Sequence, residues 1–161
     1  MLDKPQIVQT EVQPAAVIRL TIPRAEIKTV MGPAIVEVMA AVVAQGLAPA
    51  GPVFSHHLRM DPDTFDFEVG VPVKAPVSVT GRVNASQLPA ATVARTVYHG
   101  PYEGLGSAWC EFGEWIATEG YKPAANLWEC YAAGPESNAD PATWRTVLNR
   151  PLIGQARKSS T

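Results

Sequence analysis

Charge is scarce in this 161-residue sequence. Charged residues make up 17% of the chain, and 13 basic residues against 15 acidic ones give a net charge of −2. Typical soluble domains are about one-quarter charged. The composition therefore predicts no basic surface, which argues against nucleic acid or an anionic membrane as a direct partner. Apolar residues make up 47%, which excludes a disordered chain.

Cysteine and long apolar runs are also scarce. The two cysteines, Cys110 and Cys130, form no Cys-x-x-Cys or Cys/His pattern, so we predict no metal site, no redox pair and no cofactor. The longest apolar stretch, residues 34–44, is interrupted by Glu37 and is too short to span a bilayer. The N-terminus has no signal-peptide pattern. We therefore expect a cytoplasmic protein with no membrane partner.

Chain breakers, by contrast, are plentiful, with 15 prolines beside 12 glycines. They leave room for few helices and favour strands joined by turns. The Ser-His-Asp order, the His-Glu-x-x-His motif, the P-loop and the Gly-x-Gly-x-x-Gly motif are all absent. The sequence therefore contains no common catalytic or nucleotide-binding motif.

The sequence contains an internal repeat. Residues 45–50 resemble residues 119–124, where Gly120 follows Gly46 by 74 positions. At this offset the apolar stripe of one predicted helix, Met31 to Val42, falls on that of another, with steps of 4, 3 and 4 in both. Further on, Asp-Pro-x-Thr-aromatic recurs after 79 positions. These matches indicate a duplication with small changes in loop length.

The repeat predicts one domain at residues 1–154, built from half-repeats of about 5–74 and 75–152, and a flexible tail at 155–161. One helix is predicted from Gly32-Pro33 to a left-handed cap at Gly46, and the other from near Tyr102 to Gly120. The predicted strands are about 7–12, 17–22, 53–60, 64–73, 77–83, 93–98, 126–132 and 143–149.

This order predicts an α+β fold of duplicated strand-helix-strand-strand units. Eight antiparallel strands would form a sheet with two helices on one face. The other face would be left as a ligand groove at the pseudo-two-fold axis.

The strand around Glu129 carries the main candidate site. Side chains alternate along a strand, and the helices must cover an apolar face. We therefore predict that Trp128 and Cys130 face the helices, whereas Glu129 and Tyr131 face the groove. A carboxylate buried there without a partner is costly and has a raised pKa, which marks a functional candidate. The alternative is an open face on which Glu129 is simply solvated.

The repeat suggests residues on the opposite wall. His57 corresponds to Tyr131 and is predicted to line the groove, whereas His56 would point towards the helices. Ordinary exposure is the alternative for both histidines. Glu68, together with Asp66 on the same strand face, is either solvated or forms a second acidic wall.

Two aromatic residues near or on the second helix complete the ligand-binding candidates. Tyr102 follows a Gly-Pro turn and either leans into the groove or fixes the start of the helix. Trp109 lies on the apolar stripe of that helix, which favours a place in the core.

Several segments together resemble a known family, the GyrI-like small-molecule-binding domain. They are His99-Gly-Pro-Tyr-Glu103, Trp115-Ile116 with Gly120, Glu129-Cys-Tyr131, Asp140-Pro141 and Pro151-Leu152. The same domain forms the effector-binding part of AraC-type and MerR-type multidrug regulators. The resemblance covers nearly the whole chain and is strongest over residues 93–152.

The resemblance implies a doubled strand-helix-strand-strand fold that binds bulky, hydrophobic, often cationic drugs or antibiotics in an aromatic groove. Its glutamate matches Glu129 and its tyrosine matches Tyr131. Some stand-alone members resemble hydrolases of cyclopropane-containing DNA-alkylating natural products, in which these two residues would activate water. The sequence departs from the family at Val147-Leu148, where members often carry an acidic residue. Binding, hydrolysis and regulation through a partner all remain open, as does the oligomeric state.

Overall fold

The structure of the protein, a computed structural model, describes residues 2–60, 63–79, 81–133 and 140–153. The described residues form eight strands and two α-helices. In chain order these are β1 (Gln6–Gln9), β2 (Gln13–Pro23), α1 (Ile27–Ala44), β3 (Phe54–Met60), β4 (Thr64–Pro72), β5 (Val83–Leu88), β6 (Thr92–His99), α2 (Leu105–Thr118), β7 (Leu127–Ala133) and β8 (Arg145–Pro151). The α+β class, the eight antiparallel strands and the two helices are confirmed.

The chain divides into two compact units. Unit 1 comprises Met1–Thr10 and Ala91–Thr161, and unit 2 comprises Glu11–Ala90. The predicted tail at 155–161 and the Asp61-Pro62 turn lie outside the described residues. No helix within the described ranges is long and apolar enough to cross a membrane.

Unit 2 is a four-stranded antiparallel sheet in the order β3-β4-β2-β5 with α1 on one face. In β2 and β4 the residues facing α1 are paired across the strands, for example Ile18 with Val69 and Leu20 with Phe67. They pack against Val38 and Val42 of the helix. Burial of these branched side chains stabilises the unit.

Helix α1 begins earlier than predicted. The sequence places Gly32-Pro33 at its first turn, but the helix starts at Ile27, and Pro33 lies inside it. Pro33 is exposed, so water can solvate the carbonyl that loses its hydrogen-bond donor. The predicted end is confirmed, since Gly46 has a φ of 75° and the amide of Leu47 donates to the carbonyl of Val42.

Unit 1 repeats this plan with the order β1-β6-β8-β7 and α2 on one face. Ala94 and Leu148 of the sheet pack against Phe112 and Ile116 of the helix. The chain leaves α2 at Gly120, whose φ is 84°, as predicted for a left-handed cap.

Each unit takes one strand from the other half of the sequence. Strand β1 pairs with β6 of the second predicted copy, and β5 pairs with β2 of the first. The boundaries of the compact units therefore differ from those of the predicted half-repeats, about 5–74 and 75–152. The half-repeats remain a prediction about sequence duplication. Both copies share a further detail, a break in register after His57 in β3 and after Tyr131 in β7.

Tyr98 fixes the turn that leads from β6 into α2. Its hydroxyl donates to the carbonyl of Pro101 at 2.9 Å. The ring fills the space beside Gly100 and Gly104, and a Cβ on Gly104 would overlap the Tyr98 hydroxyl oxygen. Glycine at 104 is therefore required by this close approach.

We expect Gly104→Ala to lower the free energy of unfolding by about 1–3 kcal/mol, because the added methyl group overpacks this turn. Gly106→Ala is the matched control. No atom lies within 4 Å of a Cβ at Gly106, so alanine there should stabilise helix α2 by about 0.5–1 kcal/mol. Urea unfolding measures both changes, and equal effects of the two substitutions would contradict the role of Tyr98.

Candidate ligand-binding site

Glu129 lies at the centre of β7 and faces helix α2. Its cross-strand partner is Leu148, which packs in the core of unit 1 with Phe112 of α2. The predicted orientation of this strand is therefore wrong, because Glu129, rather than Trp128 and Cys130, lies on the helix side. The apolar character of Trp128 misled the prediction, since residues on both faces of this strand are buried.

Both oxygens of the Glu129 carboxyl group accept hydrogen bonds from aromatic side chains. The indole Nε1 of Trp109 on α2 donates to Oε2 at 2.6 Å, and the Tyr131 hydroxyl donates to Oε1 at 2.8 Å. Glu129 is only 8% exposed. Short hydrogen bonds of this kind stabilise the charged carboxylate. The alternative of a simply solvated Glu129 is therefore wrong.

Burial and hydrogen bonding have opposite effects on the protonation of Glu129. Burial raises the pKa of its carboxyl group above the ordinary value of 4.5, and the hydrogen bonds from Trp109 and Tyr131 oppose that rise. Burial has the larger effect, so the pKa stays raised. The site therefore holds a carboxyl group that gains from any positive charge placed beside it.

Aromatic rings extend from the carboxyl group. Tyr102, in the short 3-10 turn before α2, meets Tyr131 edge to face with ring centroids 5.8 Å apart. On another side it lies 5.1 Å from the ring of Trp144. All three residues are partly exposed. Tyr131 therefore connects the buried Glu129 carboxyl group to the partly exposed rings of Tyr102 and Trp144.

Trp144 is the residue that the sequence analysis missed. It lies just before β8 and was interpreted only as part of a repeated hairpin. The signal was present in the repeat, because Trp144 corresponds to Phe65, which lies beside His57 in unit 2.

The structure gives Tyr102, Trp109 and Tyr131 different contacts. The Tyr102 ring contacts Tyr131 and Trp144, and the Tyr131 hydroxyl donates a hydrogen bond to Glu129. Trp109 packs against the core of unit 1, as its place on the apolar stripe predicted, and also binds the carboxyl group through its N–H.

In unit 2 the side chain of His57 faces α1, not the helix-free side. Its cross-strand partner is Phe67, whose ring it stacks on at 5.0 Å, and Phe65 lies edge-on at 5.1 Å. His56 is on the opposite face, so the predicted orientations of the two histidines are reversed. Burial lowers the pKa of each to about 4, so both are neutral at pH 7.

Glu68 lies on the face of unit 2 opposite α1. The Ser86 hydroxyl donates to its Oε1 at 2.9 Å. On the same face Arg19 forms a bidentate ion pair with Asp66, with N–O distances of 3.0 and 2.9 Å. Within unit 2, Glu68 and His57 therefore occupy different faces, and the structure does not bring them together.

The described residues include no group of three or more His, Cys, Asp or Glu side chains placed to hold a metal ion. Cys110 and Cys130 are both free thiols. Burial raises the pKa of Cys130 to about 11, so its thiol is protonated and unreactive at neutral pH.

Comparison with known proteins gives the family context. The sequence profile of the GyrI-like small-molecule-binding domain matches residues 3–148 of this chain. No curated protein matches it by sequence.

Solved structures share the fold at low sequence identity. The crystal structure of the EcmrR C-terminal domain is 21% identical with a TM-score of 0.82, over 94% of this chain and 98% of that one. In an EcmrR–DNA complex the same match covers only 58% of the EcmrR chain. SAV2435 bound to tetraphenylphosphonium is 11% identical with a TM-score of 0.67, over 94% and 95% of the two chains.

A hydrolase from Listeria innocua is 14% identical with a TM-score of 0.60, over 93% of this chain and 92% of that one. At these identities the similarity establishes the fold alone.

We expect Glu129→Gln to stabilise the unliganded protein at neutral pH by roughly 1–3 kcal/mol, the order of the desolvation penalty of a buried polar group. Glutamine can accept from Trp109 and donate to the Tyr131 oxygen without the cost of a buried charge. Urea unfolding of both proteins at several pH values measures the difference.

The difference in stability between the wild type and Glu129→Gln should depend on pH. A carboxyl group with a raised pKa contributes stability that is fully present below its unfolded-state value of 4.5 and is lost as the pH rises through the folded-state value. The advantage of Glu129→Gln should therefore grow as the pH rises from below 4.5 through the raised folded-state pKa of Glu129. A constant difference across that range would mean that Glu129 is not the titrating group.

Proposed function

This chain belongs to the GyrI-like small-molecule-binding domain family, and from that premise we propose that unit 1 binds bulky, hydrophobic organic cations at Glu129. The observation that carries the proposal is the Glu129 carboxyl group itself. It is buried against a helix, and both of its oxygens are held by the aromatic side chains of Trp109 and Tyr131.

Folding stability alone does not explain a glutamate at this position. A buried carboxyl group without a cation pays for lost hydration, and the raised pKa of Glu129 measures that cost. Neither Trp109 nor Tyr131, the two side chains that donate hydrogen bonds to it, carries a positive charge. A cation from outside would supply the missing charge, and the protein would recover as binding energy part of what it loses in folding stability.

The surrounding rings select the kind of cation. A large cation with delocalised charge loses less hydration on leaving water than a small ammonium ion does. It can also place its apolar surface against Tyr102 and Trp144, whose ring faces attract positive charge. The site therefore favours charge combined with bulk over charge alone. SAV2435, which shares the fold, is seen with tetraphenylphosphonium, a cation of this class.

Glu129→Gln should weaken the binding of tetraphenylphosphonium by about 10- to 100-fold, the loss expected when a charged partner becomes neutral. Isothermal titration calorimetry at neutral pH measures the affinity. Glu68→Gln is the matched control, since it makes the same chemical change on the face of unit 2 opposite α1, and the affinity should be unchanged. Equal affinity of the wild type and Glu129→Gln would reject the proposal.

The same group supports a second function, hydrolysis of a strained cyclopropane. In its ionised form the Glu129 carboxylate can take a proton from water, and its raised pKa makes it a stronger base. The Tyr131 hydroxyl, 2.8 Å from it, can help to position that water. The water oxygen would bond to a cyclopropane carbon as one ring carbon–carbon bond breaks. The electron pair of that bond would pass into the conjugated system of the substrate, and the proton would return there, for a net addition of one water.

Incubation with a cyclopropane-bearing DNA alkylator distinguishes binding from hydrolysis. Mass spectrometry of the recovered compound should show the addition of one water if the protein is a hydrolase. The reaction should be lost in Glu129→Gln and retained in Glu68→Gln. Recovery of the intact compound after tight binding would favour the binding function and reject hydrolysis of that substrate.

A further inference from the structure

A second polar group lies on the same face of unit 1 as Glu129. Thr146 of β8 is 0% exposed, and its Oγ1 has no hydrogen-bond partner among the described residues. It is paired with Tyr131 on β7, so it lies diagonally across from Glu129, which is paired with Leu148. Diagonal neighbours of this kind are about 7–8 Å apart.

The neighbouring hydroxyl groups direct their protons to other acceptors, and neither forms a hydrogen bond with Thr146 Oγ1. Thr146 lies between Tyr131 of β7 and Tyr98 of β6. The Tyr131 hydroxyl donates to Glu129, and the Tyr98 hydroxyl donates to the carbonyl of Pro101. A buried hydroxyl left unsatisfied costs free energy, about 1–3 kcal/mol in typical cases. Thr146 is thus an unfavourable choice for packing alone.

The repeat shows the side chain that fills this position in the other copy. Phe67 follows Thr64 in unit 2 as Thr146 follows Thr143 in unit 1, and its partner His57 corresponds to Tyr131. The Phe67 ring stacks on His57 at 5.0 Å and is fully buried. Unit 2 thus fills the position with an apolar ring, whereas unit 1 has a smaller side chain and a hydroxyl group.

We propose that Thr146 is the second polar anchor of the ligand site, where its hydroxyl donates a hydrogen bond to an acceptor atom of the ligand. This inference rests on the proposed function and narrows the ligand class. The ligand is a bulky cation that also carries a neutral hydrogen-bond acceptor. The acceptor is far enough from the positive centre to reach the Thr146 hydroxyl while that centre lies beside Glu129. Such an acceptor satisfies the hydroxyl that the unliganded protein leaves unpaired.

Isosteric phosphonium cations test this pairing. Tetraphenylphosphonium is compared with three relatives in which one phenyl ring is a 2-, 3- or 4-pyridyl ring. The ring nitrogen adds an acceptor at three different distances from phosphorus without adding bulk. Affinities are measured by calorimetry for the wild type, for Thr146→Val, which removes the hydroxyl at nearly constant shape, and for Thr146→Ser, which keeps it.

For at least one pyridyl isomer, the ratio of wild-type to Thr146→Val affinity should exceed the ratio for tetraphenylphosphonium by roughly three- to tenfold, the value of one hydrogen bond. Thr146→Ser should retain that difference. Equal ratios for all four cations would overturn the role of Thr146. Glu129→Gln should weaken all four cations together, so failure of the cation site itself is distinguished from failure of this inference.

A second measurement needs no ligand. Because the hydroxyl is unpaired in the unliganded protein, Thr146→Val should unfold at the same or a higher temperature than the wild type. A clear decrease would show that the hydroxyl already has a partner and would overturn the inference. This measurement tests the unpaired state of the hydroxyl, on which the inference depends, even if the wild type binds none of the four cations.

Discussion

The burial of one carboxyl group between helix α2 and its sheet is the constraint on which the arrangement of unit 1 depends. Glu129 can stay there only because Trp109 reaches it from the helix and Tyr131 from its own strand. The contact with Trp109 joins helix α2 to β7, and the contact with Tyr131 lies within β7 itself. The Tyr98 ring beside Gly104 fixes the entry into the same helix, and thereby the turn that carries Tyr102.

The two copies of the repeat carry chemically different side chains at corresponding positions. Where unit 1 has Glu129, Tyr131 and Trp144, unit 2 has Ser55, His57 and Phe65. The Ser55 hydroxyl is hydrogen-bonded to His57, and the His57 and Phe65 rings pack with each other and with Phe67. Neutral, stacked rings stabilise a fold, whereas a buried carboxyl group weakens it. A duplicated unit can carry that cost in one half while the other half keeps its own apolar core beneath α1.

Much of this could be predicted from the sequence, because hydrophobic periodicity and repeated turn residues report local structure directly. The two helices and most strands followed from them, and the presence of a carboxylate within an aromatic strand marked Glu129 as a candidate. The orientation of β7 did not, because Leu127, Trp128 and Glu129 are all buried and alternation then carries no information about which face meets the helix. The pairing of β1 with β6 depends on contacts distant in sequence. Because the two halves are similar, β2 and β6 are alternative partners for each edge strand, and local sequence patterns do not choose between them.

The position of Glu129 on the helix side also bears on how a ligand reaches it. Tyr131, one of the two donors to the carboxylate, also contacts the partly exposed ring of Tyr102. In the proposed function a bulky cation would therefore have to rearrange that aromatic contact before it could pair with the charge. Binding energy is therefore the difference between the cation–carboxylate attraction and the ring packing given up for it. A small cation would replace few of the lost van der Waals contacts, whereas a cation with several apolar rings would replace most of them. Under the proposed function, selection for bulk would follow from the burial of the charge itself, and it would require no ring shaped to one particular ligand.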